Sequence, residues 1–155
     1  MRRLLFASFV LCLSSITNAQ QPKEILPPTA MEIMRFRIHD VDTVSGDIVL
    51  PFKTARLNES VRDSTFDGWE VTRTRKTDEF EHFTPLQWDA EIAKGEIARD
   101  ALRDLAKNGA MYVEWVRGEE QSVYNRLAGP LWVRTSSGRI VNVKRWAEAN
   151  GFVRK

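Results

Sequence analysis

Residues 33–50 read IMRFRIHDVDTVSGDIVL, and this stretch decides the fold prediction. Its opening side chains alternate with the period of a half-buried strand, with Ile33, Arg35 and Arg37 set against Met34, Phe36 and Ile38. The charged turn His39-Asp40-Val41-Asp42 ends that strand. A second strand is predicted over residues 43–50, with a bend at Ser45-Gly46-Asp47. The stretch therefore predicts two successive strands separated by an acidic turn.

Further short strands follow along the chain. A third is predicted over residues 60–66, where Asp67-Gly68 breaks the pattern, and residues 69–87 are predicted to form an exposed loop. Residues 111–116 and residues 131–135 have strand composition, and a glycine hairpin after the second of these leads into one more short strand. The pattern thus indicates about five or six short strands.

Two helices complete the predicted pattern. Apolar residues at spacings of three and four predict one that opens at Gly95, or as early as Asp89, and closes at Asn108-Gly109. Asn142 is a good N-cap for a last short helix that ends at Asn150-Gly151. Short strands joined by tight turns, with helices inserted late, predict a small closed β-barrel carrying helices, which is an α+β fold.

The first nineteen residues have the pattern of a secretory signal. Arg2 and Arg3 precede an apolar stretch too short to span a bilayer, and Thr17-Asn18-Ala19 supplies small residues for cleavage. The predicted organisation is a signal peptide over residues 1–19, an extended N-terminal arm over residues 20–31 and one globular domain over residues 32–155. We expect a secreted or periplasmic protein, a monomer that does not associate with a membrane after the signal is cleaved.

The composition excludes several kinds of chemistry. The only cysteine, Cys12, lies in the predicted leader, so the mature chain has no disulfide, thiolate nucleophile or cysteine metal ligand. Two histidines offer no triad or zinc site. The formal charge of +2 includes two arginines of the leader, so the mature chain is near neutral and carries no general basic surplus. Carboxylates and arginines remain as the candidate groups.

Three motifs place such groups at the ends of predicted strands. They are Asp40-Val41-Asp42-Thr43, then Arg62 with Asp67 and Glu70, then Tyr124-Asn125-Arg126. Phosphodiester cleavage needs hard oxygen ligands for a divalent cation, cationic donors for the phosphoryl oxygens, and a group that positions or deprotonates water. Arginine suits the second role because its planar fork donates two hydrogen bonds to one phosphate. Together the motifs supply every part of that set.

The joint pattern resembles the staphylococcal nuclease (thermonuclease) family. Asp40-Val41-Asp42-Thr43 is similar to the Asp-Gly-Asp-Thr of that family. Arg62, Asp67 and Glu70 have the spacing of its arginine, aspartate and glutamate, and Tyr124-Asn125-Arg126 resembles its Tyr-Gly-Arg. The order of the elements also matches over nearly the whole predicted domain. The resemblance implies an OB-fold, with about five strands and two or three helices, and a calcium ion at one rim of the barrel.

The resemblance also implies roles for individual residues. Asp42 and Asp67 would be carboxylate ligands of Ca²⁺, and Gly68 would offer its backbone carbonyl. The catalytic residues would be Glu70, which would position or deprotonate the attacking water, and Arg62 and Arg126, which would bind the phosphate and stabilise its transition state. Tyr124 would bind the substrate through a nucleotide phosphate.

The sequence departs from the family's pattern around these residues. Val41 stands in place of the glycine between the two aspartates, where a positive φ would strain a β-branched residue. Gly68 and Trp69 stand where the family often has Thr-Pro, and Asn125 replaces the glycine before the second arginine. Trp69 would either stack on a base or anchor its loop. The metal and arginine chemistry is expected to survive these changes, whereas the nucleobase preference is open.

Two functions from different classes are compatible with this pattern. The first is a calcium-dependent endonuclease that acts on DNA or RNA with little sequence specificity, because contacts to phosphate carry no base information. The second is an OB-fold module that has lost catalysis and binds nucleic acid or a protein partner through the same rim. Arg62, Glu70 and Arg126 are all present, and a decayed module has no chemical reason to keep them together. The sequence therefore favours the enzyme.

Overall fold

A computed structural model describes residues 24–50, 54–72, 82–114 and 127–154 of the 155-residue chain. These residues form strands β1 (Ala30–Ile38), β2 (Thr43–Val49), β3 (Ala55–Arg62), β4 (Ala110–Glu114), β5 (Leu127–Ala128), β6 (Leu131–Arg134) and β7 (Ile140–Asn142), with helices α1 (Pro85–Ala106) and α2 (Val143–Ala149). The predicted signal peptide, residues 1–19, lies outside the described residues.

The strands form one curled, mixed sheet in the order β5-β3-β2-β1-β4-β6-β7. Neighbours are antiparallel except β3 and β5, which pair in parallel through Val61 with Leu127 and Arg62 with Ala128. The described part of the sheet is a half-barrel with two helices, so the predicted α+β class is confirmed, and the curled sheet is compatible with the predicted barrel. The described residues form seven strands, more than the sequence predicted. The additional strand is β5, which is only two residues long and therefore has no visible period.

The hydrophobic core lies between the curled sheet and the helices. α1 contributes Ala98, Leu102 and Ala106, which follow one another at helical spacing and are almost fully buried. α2 contributes Val143 and Ala147 to the same core. From the sheet, the most deeply buried large side chains are Ile33, Val44, Ile48, Val61, Met111, Val113, Leu131 and Val133. A single core therefore fixes the position of the strand ends that carry the predicted site.

A β-bulge after Met34 corrects the simple alternation predicted for β1. Ile33 and Ile38 belong to opposite sets of the alternating pattern, yet both are buried, whereas Met34 is 51% exposed. Arg35 has a φ of 50° at the bulge, and its guanidinium donates to the Asp47 carboxylate on β2. The extra residue changes which face the following side chains occupy. Both isoleucines consequently point into the core.

The third strand lies earlier than the sequence predicted. It spans Ala55–Arg62 and not residues 60–66, because Asp63 turns the chain out of the sheet. The buried Asp63 carboxylate accepts hydrogen bonds from the Thr65 backbone N–H at 3.0 Å, the Thr65 hydroxyl at 2.6 Å and the Leu131 N–H at 2.9 Å. Such local side-chain acceptors compete with a strand ladder and favour a turn. This turn directs the chain from the end of β3 towards Asp67.

Helix α1 begins ten residues before Gly95, inside the segment predicted to be a loop. Thr84 is its N-cap, and Thr84 and Gln87 form a reciprocal capping box with Pro85 in the first turn. Gly95 is consequently a buried residue in the middle of the helix. In the part of the chain that the structure describes, no helix is long and apolar enough to cross a membrane.

The C-terminal elements agree closely with the sequence. Asn108 ends α1 with a φ of 57°, and Gly138 has a φ of 82° in the predicted hairpin between β6 and β7. The Asn142 side chain accepts a hydrogen bond from the Arg145 N–H at 3.1 Å and caps α2, as predicted. α2 ends at the turn that contains Gly151, whose φ is 71°.

Candidate functional site

Charged side chains from three elements meet at one edge of the curled sheet. Asp40 and Asp42 lie in the turn between β1 and β2, and Arg62 is the last residue of β3. The site loop, residues 67–70, adds Asp67 and Glu70 after the turn at the end of β3. Pairing of Thr43 with Arg62 and of Val44 with Val61 brings the acidic turn beside the end of β3. The site therefore depends on strand register.

Asp42 is the most fixed carboxylate of the group, with a side chain only 6% exposed. Its Oδ1 accepts a hydrogen bond from the Thr43 hydroxyl at 2.9 Å. Its Oδ2 accepts one from the Gly68 backbone N–H at 3.1 Å and lies 3.4 Å from Arg62 Nη2. The Asp42 backbone carbonyl also accepts from the Asp63 N–H at 2.8 Å, so the acidic turn and the end of β3 are joined.

Arg62 lies between the two predicted carboxylate ligands. Its Nη2 is 3.4 Å from Asp42 Oδ2 and 2.5 Å from Asp67 Oδ1, and the Asp67 side chain is 60% exposed. Burial alone would lower the pKa of the Arg62 guanidinium, but the charges of Asp42 and Asp67 outweigh it and raise that pKa. One cationic nitrogen thus contacts both carboxylates.

Asp40 is a site residue to which the sequence analysis gave no role. Burial, together with the neighbouring charges of Asp42 and Glu70, raises the pKa of the Asp40 carboxyl to about 6. Its Oδ1 is buried without a hydrogen-bond partner among the described residues. A buried carboxylate oxygen without a donor is costly unless a cation or water contacts it. Its position two residues before Asp42 in the same motif was the available sequence signal.

Glu70 is half-buried at the end of the site loop. Burial raises the pKa of its carboxyl, and the positive charge of Arg154 opposes that shift. Glu70 Oε1 lies 3.5 Å from Arg154 Nη2, and the Glu70 backbone N–H donates to Glu91 Oε1 at 3.2 Å. The sequence predicted Glu70, but it gave no indication of Glu91 or Arg154.

Val41 and Gly68 fit together inside the site. Val41 is fully buried, and it is not among the described residues with positive φ, so the strain considered for a β-branched residue in this turn does not arise. A Cβ added to Gly68 would overlap Cγ1 of Val41. The larger residue in the acidic turn is therefore accommodated by the absence of a side chain in the site loop.

This contact predicts strong coupling between the two positions. Gly68→Ala should destabilise the fold by about 1–3 kcal/mol, because the methyl group meets the buried Val41 and not a flexible side-chain end. Val41→Ala removes the obstructing methyl group, so the double variant should lose less stability than the sum of the single variants. Urea unfolding of all four proteins measures the coupling. Additive losses would contradict the fit described above.

Trp69 anchors the site loop through both of its functional groups. Its Nε1 donates to the Gly151 carbonyl at 3.3 Å, and Lys94 Nζ lies 4.2 Å from the ring centroid. The ring is therefore held between α1 and the segment that follows α2, with an ammonium group over it. Of the two roles considered for Trp69, these contacts favour that of a loop anchor.

The remaining predicted site residues lie outside the described residues. These are Tyr124 and Arg126, which belong to residues 115–126, and their roles stay predictions. Across residues 24–50, 54–72, 82–114 and 127–154, no group of three or more histidine, cysteine, aspartate or glutamate side chains has the geometry of a metal site. The predicted calcium ligands are fewer, since they comprise only two carboxylates and a carbonyl.

No protein-family model matches the chain, and no curated protein matches it. The similarity to the thermonuclease family therefore stays an interpretation of the motifs.

Proposed function

We propose that this protein is a secreted, calcium-dependent endonuclease with an OB-fold, which hydrolyses phosphodiester bonds of DNA or RNA with little sequence specificity. The observation that carries the proposal is the arrangement of four carboxylates, those of Asp40, Asp42, Asp67 and Glu70, around the guanidinium of Arg62. Hard oxygen ligands, a phosphate-binding fork and a candidate base then lie at one strand end.

The donor set fits a calcium ion. Asp42 and Asp67 would hold the ion with the carbonyl of Gly68. Oδ1 of Asp40, which has no hydrogen-bond partner among the described residues, would meet one of the waters of the ion. Such oxygen ligands suit Ca²⁺, which accepts irregular geometry and keeps water in the remaining positions. When bound, the ion would supply positive charge to the phosphoryl oxygens. Two carboxylates and one carbonyl make a weak site.

Arg62 and Glu70 provide the groups that act on the substrate. The Arg62 guanidinium is fixed at the end of β3 and its charge does not depend on pH, so its planar fork would bind two phosphoryl oxygens. The Glu70 carboxyl has a raised pKa because of its burial, which makes the carboxylate a better base for the attacking water. Arg126 and Tyr124 are also proposed to contact phosphate groups of the substrate.

Cleavage assays with the mature chain test the proposal. Single- and double-stranded DNA and RNA are incubated with calcium, with magnesium and with a chelator. Activity should rise through high micromolar to millimolar calcium and vanish with the chelator, because a site with few charged ligands binds Ca²⁺ weakly. Magnesium, which demands stricter octahedral geometry, should support less turnover. Asp42→Asn should shift the calcium dependence to higher concentration.

Each outcome of this assay has a distinct meaning. Full activity in excess chelator would reject the metal assignment, and equal rates in both metals would contradict a flexible calcium site. Nucleic-acid binding without cleavage at any metal concentration would replace the enzyme by the inactive binding module. If the protein neither binds nor cleaves nucleic acid, the remaining alternative is an inactive OB-fold module that binds a protein partner.

A further inference from the structure

Glu70 is held by two charged groups that have no part in the proposed chemistry. Arg154 comes from the C-terminal segment, residues 151–154, and Glu91 lies on α1. Their side chains are only 12% and 5% exposed. Both residues are far from Glu70 in the sequence, so the fold alone brings the three together.

A single carboxylate oxygen joins these groups. Glu91 Oε1 accepts hydrogen bonds from Arg154 Nη2 at 2.9 Å and from Arg154 Nε at 3.2 Å. The same oxygen accepts from the backbone N–H of Glu70 at 3.2 Å. The guanidinium reaches further, because Arg154 Nη2 also lies 3.5 Å from Glu70 Oε1. Glu91 therefore fixes the backbone of Glu70, and Arg154 contacts its carboxylate.

Backbone contacts fix the same loop from both sides. The Arg154 N–H donates to the Asp67 carbonyl at 3.0 Å, and Val153 pairs with Gly68 in an antiparallel bridge. On the other side, a Cβ added to Gly95 would overlap the carbonyl of Glu70, so α1 passes directly against this backbone. The C-terminal segment and α1 therefore enclose the site loop.

We propose that Arg154 is a positioning residue, which with Glu91 as its anchor fixes the Glu70 carboxylate for its action on water. The inference rests on the proposed function. A half-buried glutamate has several rotamers, and a displacement of about 1 Å at a reacting group is enough to lower a rate about 100-fold. The two hydrogen bonds to Glu91 already satisfy the buried ion pair. The contact with Glu70 therefore adds orientation that the ion pair does not need.

Kinetics of three variants test this role. Arg154→Met is made together with Glu91→Gln, because removing only one partner would leave a buried charge unpaired. The glutamine oxygen still accepts from the Glu70 N–H. Arg154→Lys keeps the positive charge but loses the fork that reaches both carboxylates. Arg145→Met is the control, since Arg145 forms an exposed ion pair with Glu24 and does not contact the site loop.

The expected result is a loss confined to the chemical step. The double variant should lower kcat about 10-fold to 100-fold, as does removal of a group that orients a catalytic residue, with KM and calcium affinity changed less than about twofold. Arg154→Lys should have an intermediate kcat, and Arg145→Met should match the wild type. Amide hydrogen exchange at Glu70 gives a second readout, and it should stay near the wild-type rate in the double variant, because the glutamine oxygen still accepts from that N–H while only the contact to the side chain is lost.

Several outcomes would overturn the inference. A folded double variant with wild-type kcat would do so, as would a loss of rate that only follows the unfolded fraction in thermal melting. If the double variant does not fold, Arg154→Lys decides, and a wild-type kcat there rejects the role. A wild-type protein that cleaves no substrate removes the proposed function and this inference together. The assay of the wild-type protein distinguishes the two failures. If the wild type is active and the variants match it, only the positioning role of Arg154 is rejected.

Discussion

Arg62→Lys is expected to lower kcat for nucleic-acid cleavage by about 10²–10³-fold, equivalent to about 3–4 kcal/mol, while KM rises much less. Lysine keeps the positive charge that Asp42 and Asp67 share, so calcium binding and folding should change little. What lysine lacks is the planar fork that donates two parallel hydrogen bonds to the transition state. Steady-state kinetics at saturating calcium measure the effect.

A neighbouring arginine provides the matched control for this experiment. Arg56 lies on the same strand and forms an exposed ion pair with Glu59, so Arg56→Lys should leave the rate unchanged. Glu70→Gln should also lower kcat with nearly unchanged calcium affinity, because Glu70 is assigned to the water and not to the ion. If Arg62 and Glu70 can each be replaced with less than about a threefold loss, under 1 kcal/mol, the nuclease site is misplaced.

The strands near the site were predictable because a half-buried sheet imposes a period of two on the sequence. The face of the sheet on which each β1 side chain lies could not be predicted. It depends on the bulge after Met34, where Arg35 takes a positive φ while its guanidinium contacts Asp47. Nothing in the alternation itself encodes that contact. Local periodicity therefore predicted β1 and β2 as strands, but it put Ile33 and Ile38 in opposite alternating sets although both are buried.

The start of α1 could have been predicted from the sequence, although the prediction placed it too late. Thr84, Pro85 and Gln87 form a capping signal that precedes the apolar stripe. With that start, Glu91 falls on the buried stripe, three residues after Trp88 and four before Gly95. An acidic residue on a buried helix face needs a partner. The correct helix boundary would thus have identified Glu91 as a residue to explain.

The partners of the site residues were less accessible to sequence reasoning. The spacing of Arg62, Asp67 and Glu70 was enough to predict that they meet, because a turn after a strand keeps neighbours close. Arg154 is separated from Glu91 by 63 positions and from Glu70 by 84. Contacts of that range are fixed by the pairing of the C-terminal segment with the site loop, which no local pattern records.

Asp63→Ala is expected to destabilise the fold by about 3 kcal/mol or more, the largest effect on stability among these predictions. The fully buried carboxylate accepts hydrogen bonds from Thr65 and from the Leu131 N–H, and alanine would leave the buried Leu131 N–H unpaired and remove the acceptor of Thr65. The turn that carries the chain to Asp67 would also lose its acceptor. Urea unfolding should show a lower midpoint with an unchanged slope.

Two further variants and the pH dependence separate this explanation from a simple loss of volume. Asp63→Asn keeps the volume but turns an amide NH₂ towards one of the donors, so it should also destabilise strongly, whereas the exposed neighbour Ser64→Ala should not.

Burial raises the pKa of Asp63 against the opposing hydrogen bonds from Thr65 and Leu131, so the folded chain holds this proton more tightly than the unfolded chain. The contribution of Asp63 is therefore fully present below its unfolded pKa and decreases as the pH rises through the folded value. The destabilisation by Asp63→Ala should accordingly be larger at acidic pH, and an Asp63→Asn variant as stable as the wild type would refute the assignment of this carboxylate as the acceptor that ends β3.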